Sequence, residues 1–247
     1  MLQQFIFECK TIFLKKTVAM TVFLVPLALV GLAYATQPQD EASWVSLAAS
    51  WGVLVVAFSV LFAIPTVVAD RRSRLLYKRL LTSALSKSQI IIAGMAPYFF
   101  IGIFQVVFVI ICLSFLGDLK IVNPALMFFG AVLLALVACV AGLALGALSQ
   151  EAEKAQWVVL PVVVVVAVAA NFLPMQTLDG WLRTVLYLAP GGGFVDLFYV
   201  SLGETSFGHS ILGVAPTVGV VVSIVSSAIW GIISGWVAMS RFRWDIR

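Results

Sequence analysis

Six stretches of the chain run without Asp, Glu, Lys or Arg: residues 17–39, 42–69, 88–117, 121–150, 155–178 and 205–240. Each exceeds the about 20 mostly apolar residues that a helix needs to cross a hydrocarbon core at 1.5 Å per residue. Trimmed at their Pro, Gly and polar ends, they predict membrane-spanning helices at 17–37, 44–69, 89–116, 123–149, 155–173 and 211–239. Pro65 and Pro161 fall inside spans and predict kinks, which bilayer helices tolerate.

Three further segments carry a helical pattern without the length of a span. In 1–16, Leu2, Phe5, Ile6, Cys9, Ile12 and Phe13 recur at i, i+3, i+4, i+7. That stripe predicts a helix lying along the inner headgroup layer, against the plainer reading of a frayed polar leader. Residues 70–87 are strongly basic yet place Tyr77, Leu80, Leu81, Ala84 and Leu85 on one face. A topology anchor needs charge but no apolar stripe, so 70–87 is read as an amphipathic helix buried on lipid or on a partner protein. Residues 174–207 hold two apolar halves, each too short to cross, separated by Pro190-Gly191-Gly192-Gly193. They predict a broken helical hairpin that re-enters the membrane or packs over the mouth of the bundle. Residues 240–247 are left as a charged tail.

Charge fixes the expected orientation. With the N-terminus inside, 13 of the 15 Lys and Arg residues fall on the cytoplasmic side and only Lys120 and Arg183 on the outer side. Positively charged loops stay in the cytoplasm, so the bias predicts both termini inside and an even number of spans. Lys15-Lys16, the apolar run behind them and Ala33-Tyr34-Ala35 imitate a cleavable leader; cleavage would leave five spans.

Composition agrees: 62% of the 247 residues are apolar and 11% charged, against about 25% charged in a soluble domain. The net charge of +4 is used in orientation, so no nucleic-acid partner is expected. Cys9, Cys112 and Cys139 share no metal-ligand spacing, and the single histidine, His209, has no ligand cluster beside it in sequence. No metal site or catalytic residue is read.

This layout resembles the six-span permease subunits of ABC-2 type exporters over essentially the whole chain. Leu80-Leu81-Thr82-Ser83-Ala84-Leu85-Ser86-Lys87 is similar to the family's Leu-Leu-x-Thr-Pro-Leu-Ser-Arg stretch, with Ala84 in place of Pro and no preceding Gly-Thr. Phe172-Leu173-Pro174, Gly180-Trp181-Leu182 and Leu188-Ala189-Pro190 resemble its Phe-x-Pro, Pro-x-Trp-Leu and Leu-Pro landmarks. The resemblance implies an all-α, multi-pass protein of the cytoplasmic membrane that pairs with a second permease, identical or homologous. It also implies two separate ATP-binding subunits, which would carry ATP and Mg. Residues 70–87 would then be the coupling helix, with Tyr77, Leu80, Leu81 and Leu85 as apolar contacts and Arg74, Lys78 and Arg79 as rim charges. The chain contains no G-x-x-x-x-G-K-[ST] of its own, so hydrolysis is expected from a partner.

By the same resemblance a substrate path runs between the second and fifth spans, past Phe58, Ser59 and Phe62 and past Val162, Val166 and Asn171. Such an apolar wall suits a drug, lipid or peptide with hydrophobic or amphipathic character. Gln105, mid-span, needs a partner on another helix or a wet cavity. Gly142/Gly146 and Gly231/Gly235 are G-x-x-x-G pairs for close helix contact, within the chain or between copies. A non-transporting scaffold or sensor and a secondary transporter are the competing classes. The absence of an ionisable residue from all six spans weighs against proton or ion coupling.

Overall fold

The computed structural model describes residues 16–82, 86–149, 151–175, 178, 180–242 and 244, with 16–22 described as backbone only. The expected interfacial helix at 1–16 therefore lies almost wholly outside the described residues, as do Ala84 and Leu85. Among the described residues the chain is helical throughout, without a strand. Its helices are α1 (Lys16–Thr36), α2 (Glu41–Val56), a π-helical turn (Ala57–Leu61), α3 (Phe62–Ser73) and α4 (Leu76–Leu80). There follow α5 (Lys87–Leu116), α6 (Pro124–Leu148), α7 (Ala152–Phe172), α8 (Gly180–Leu188), α9 (Gly192–Ser201), α10 (Phe207–Leu212) and α11 (Pro216–Arg241).

Among the described residues five helices are long and apolar enough to cross a membrane: Glu41–Ser73, taken through the π turn, and α5, α6, α7 and α11; Phe23–Thr36 of α1 is a shorter apolar helix. Their starts are written in local chemistry. Asp40 accepts from Ser43 N–H at 3.1 Å to open α2, and Ser86 and Gln89 form a reciprocal capping box at α5. Asn123 accepts from Leu126 N–H at 3.0 Å, and Pro at the first position begins both α6 and α11.

α6 is the hub, packing on α3, α5, α7, α9 and α11. Its close approach to α3 depends on the first glycine pair: a Cβ on Gly142 would meet Ile64 Cβ at 2.8 Å, and one on Gly146 would meet Val68 Cβ at 2.8 Å. Gly231 and Gly235 face Val137 and Val140 of the same helix. Both pairs thus pack within the chain. Large apolar side chains such as Phe104, Trp157, Ile232 and Trp236 remain exposed around the outside, as bilayer-facing helices require and a water-soluble surface would not.

The structure corrects two expectations and adds a feature to the second span. That span passes through the π turn Ala57–Leu61, one turn before Pro65. Pro65 lacks the N–H that would reach the Leu61 carbonyl, and the helix accommodates the loss upstream. The single helix at 70–87 is instead the end of α3, a break, and the five-residue α4. Leu75 breaks it by adopting left-handed backbone, φ 57°, a conformation costly for a branched side chain. Finally, the last long helix begins at Pro216 rather than at 211. Residues 207–212 form the separate α10, ended by Gly213 at φ 66°.

Within 174–207 the described residues include two short helices, α8 and α9. α8 and α9 meet at Gly191, φ 104°, and a Cβ on Gly192 would strike the Leu186 carbonyl at 2.2 Å. Only glycine fits that corner. α9 is buried from Gly192 to Phe198 and packs on α2, α6 and α11, so this half plugs one end of the bundle rather than lying in lipid.

Candidate functional site

Between α7 and α11 a cavity of about 460 Å³ opens over α6. α2 and the π turn contribute Val53, Val56, Ala57 and Leu61, and α7 contributes Pro161, Val162, Val165 and Val166. The α8–α9 corner closes one end with Pro190, Gly191 and Phe194, while Trp230, Ile233 and Val237 of α11 form the far wall. Its lining is almost wholly hydrocarbon; Ser234 is the only residue in it with a side-chain hydroxyl. Among the described residues no charged group lines it. A chamber of this size and character binds apolar molecules by burial and discriminates by shape.

The structure brings only part of the expected path together. Val162 and Val166 line the cavity. Phe58 points outward at 45% exposure, Phe62 is half-buried on the core, and neither reaches the chamber. Ser59 and Gln105 form a buried interhelical pair. Ser59 Oγ lies 2.6 Å from the Val55 carbonyl and 2.5 Å from Gln105 Oε1. One hydroxyl hydrogen cannot serve both acceptors, and turning the amide over places its NH₂ against Ser59 as the donor. The pair therefore fastens the π turn to α5. Asn171 lies at the end of α7, where it borders a second pocket of about 380 Å³ with Ser43, Ser46, Ser50, Trp51 and Tyr199. Between the two pockets Ser50 donates to the Ala170 carbonyl at 2.5 Å.

At the opposite end, the basic segment offers charge rather than leucine. Arg74, Lys78 and Arg79 are exposed, whereas Leu80 and Leu81 are half-buried against the chain's own core and Tyr77 is 3% exposed. Helical spacing groups Tyr77, Leu80 and Leu81 but does not show that the chain's own core covers them. Arg72 sits 5% exposed beside the end of α6, donating to the Ala147 and Gly146 carbonyls at 3.3 and 3.4 Å. A cation at a helix C-terminus completes carbonyls the helix leaves unpaired.

Asp196, the most buried carboxylate described, lies between expected spans in the apolar half of the segment that follows Pro190-Gly191. It is 0% exposed on α9. Phe207 N–H donates to Oδ1 at 2.6 Å, and Oδ2 lies 2.8 Å from Ser206 Oγ and 2.5 Å from Ser223 Oγ. The network continues from Ser223 to Tyr187 Oη at 2.8 Å, and Tyr187 donates to the Gly219 carbonyl at 2.7 Å. These are four oxygen-to-oxygen contacts, and three hydroxyls supply only three hydrogens. Desolvation favours the neutral carboxyl, the one other group in the network able to supply the fourth. Burial raises its pKa, while the bonds from Ser223, Ser206 and Phe207 N–H pull the other way. One buried side chain thus ties α8, α9, α10 and α11 together. The signal in sequence was an acid inside the run Phe194-Val195-Asp196-Leu197-Phe198, where no solvated loop is expected.

Among the described residues no group of His, Cys, Asp and Glu could hold a metal ion. No curated protein sequence matches the chain. The sequence profile described as "ABC-2 family transporter protein" matches residues 25–239, a span that takes in every long apolar helix, the basic segment, the plugged end and the cavity. The chain belongs to the ABC-2 transporter family, the membrane permease component of transporters that normally work with ATP-binding subunits.

Proposed function

We propose that this chain is the permease half of an ATP-driven exporter that moves a hydrophobic or amphipathic drug, lipid or peptide out of the cell. The observation that carries the reading is the apolar cavity between α2, α7 and α11 in a chain of this family. Its wall offers no carboxylate or cation to couple transport to an ion gradient, so the energy comes from elsewhere. Six spans with both termini in the cytoplasm place the cavity within the bilayer and the α3–α4 segment on the side where ATP is. Two ATP-binding subunits and a second permease, identical or homologous, complete the transporter in the cytoplasmic membrane.

The docking surface is the exposed basic rim of Arg74, Lys78 and Arg79, with Leu80 and Leu81 beneath it as support. Exposed cations steer and register an acidic partner. The test is recovery of the cognate ATP-binding subunit on the purified permease. Wild type retains it, and Lys78→Glu with Arg79→Glu loses most of it while keeping the wild-type melting temperature. Equal recovery on both would reject this surface as the dock.

A further inference from the structure

We infer that the C-terminal stub of α11 is a clasp that holds the α4 segment, with Tyr77 as its anchor rather than a contact for the ATP-binding subunit. The inference rests on the proposed docking role of α4 and adds how that segment is positioned. Tyr77 lies at the centre of an aromatic cluster drawn from two distant parts of the chain. Its ring centroid is 5.5 Å from Phe242 and 6.0 Å from Trp244, and those two rings are 5.0 Å apart. All three pairs meet edge to face, at 70° to 78°, the arrangement in which the positive edge of one ring faces the negative face of another. Lys87, the first residue of α5, places Nζ 5.6 Å from the centroid of the Trp244 ring, within cation–π range.

Three elements thus converge: α4, the start of α5 and the end of α11. α11 leaves its helix at Phe242, whose N–H still bonds the Ala238 carbonyl, and Phe242 itself adopts extended backbone. That turn brings Trp244 back over the bundle end. On the other side, Leu75 holds α4 at an angle to α3 in left-handed backbone. A five-residue helix cannot hold itself in place, so α4 needs an outside support. The rings supply part of it, beside the core contacts of Leu80 and Leu81. Because α11 also forms the far wall of the cavity through Trp230, Ile233 and Val237, the clasp joins the cavity wall to the docking segment by a path separate from α3. Tyr77, Phe242 and Trp244 are positioning residues.

The test is the spread of distances between spin labels at Thr82→Cys and Arg241→Cys, both exposed positions, in full-length chain lacking Cys9, Cys112 and Cys139. Membranes with and without the cognate ATP-binding subunit are compared. With the clasp intact the labels give one narrow distance. Trp244→Ala and Tyr77→Ala each raise the open population about tenfold, equivalent to about 1.4 kcal/mol of lost ring contact. Tyr77→Phe, which keeps the ring, restores the narrow distance, a result that loss of fold would not give. A broad distribution in the parent, or a narrow one in both alanine variants, overturns the clasp. The docking reading fails separately: there, Lys78→Glu with Arg79→Glu keeps the ATP-binding subunit bound, whatever the labels report.

Discussion

The two ends of the bundle are closed by opposite chemistry. At the α8–α10 end a buried acid, two serines, a tyrosine and backbone groups form one interior network, and α9 is sealed from Gly192 to Phe198. At the basic end Arg74, Lys78 and Arg79 are exposed, α4 has only five residues, and its support includes ring edges, the half-buried Leu80 and Leu81 and two long bonds from Arg72. Satisfied polar networks in a low-dielectric interior are rigid, because any movement leaves a buried group unpaired. Ring contacts and exposed charges tolerate small rotations. The molecule therefore has a fixed end and an adjustable one, and the adjustable one carries the proposed docking surface.

The largest effect should come from breaking the fixed end. Asp196→Ala strands the Phe207 N–H and removes a partner from Ser206 and Ser223, and should cost about 3 kcal/mol or more by thermal unfolding in detergent. Asp196→Asn keeps an acceptor and a donor in place and should cost less. The sign of the pH effect follows from the raised carboxyl pKa. The folded chain holds the proton to higher pH than the unfolded chain, so stability is full below the ordinary value of 3.8 and falls as pH rises to the raised one. Asp196→Asn should lose that slope, and a wild type that instead gains stability across that window would remove the proton from the network.

At the adjustable end, Arg72→Ala should cost about 1 to 2 kcal/mol, since its bonds are long but the carbonyls they satisfy are buried. The smallest effect belongs to Arg74→Ala. Its ion pair with Asp70 is 2.8 Å long, but the arginine side chain is 76% exposed, so unfolding should shift by less than about 0.5 kcal/mol. If Arg74→Ala proved as harmful as Asp196→Ala, the contrast between the ends would collapse.

Most of the helical order was legible because a bilayer forces it: long charge-free runs must be helices, and their capping residues mark the ends. Asp40, Ser86, Asn123 and Pro216 each stand within a few residues of an expected boundary. What could not be read was long-range pairing. Tyr77, Leu80 and Leu81 recur at helical spacing whether a partner or the chain's own core covers them, and nothing local announces that Leu75 turns left-handed or that Trp244 returns to Tyr77. Asp196 was hidden for the reverse reason. Its neighbours are apolar, but its partners lie 10 and 27 residues away at Ser206 and Ser223. The expected path divided for the same cause: Val162 and Val166 reach the cavity, while Ser59 and Gln105 pair between the π turn and α5.

The central claim is ATP-driven movement through an apolar chamber. Its most direct measurement is uptake of a lipophilic fluorescent dye into inside-out membrane vesicles carrying the chain and its cognate ATP-binding subunits. The account predicts uptake that requires ATP, stops when the Walker lysine of the partner is replaced by alanine, and persists when the proton gradient is collapsed. Uptake that ignores the Walker lysine, or that vanishes with the proton gradient while ATP remains, would contradict it.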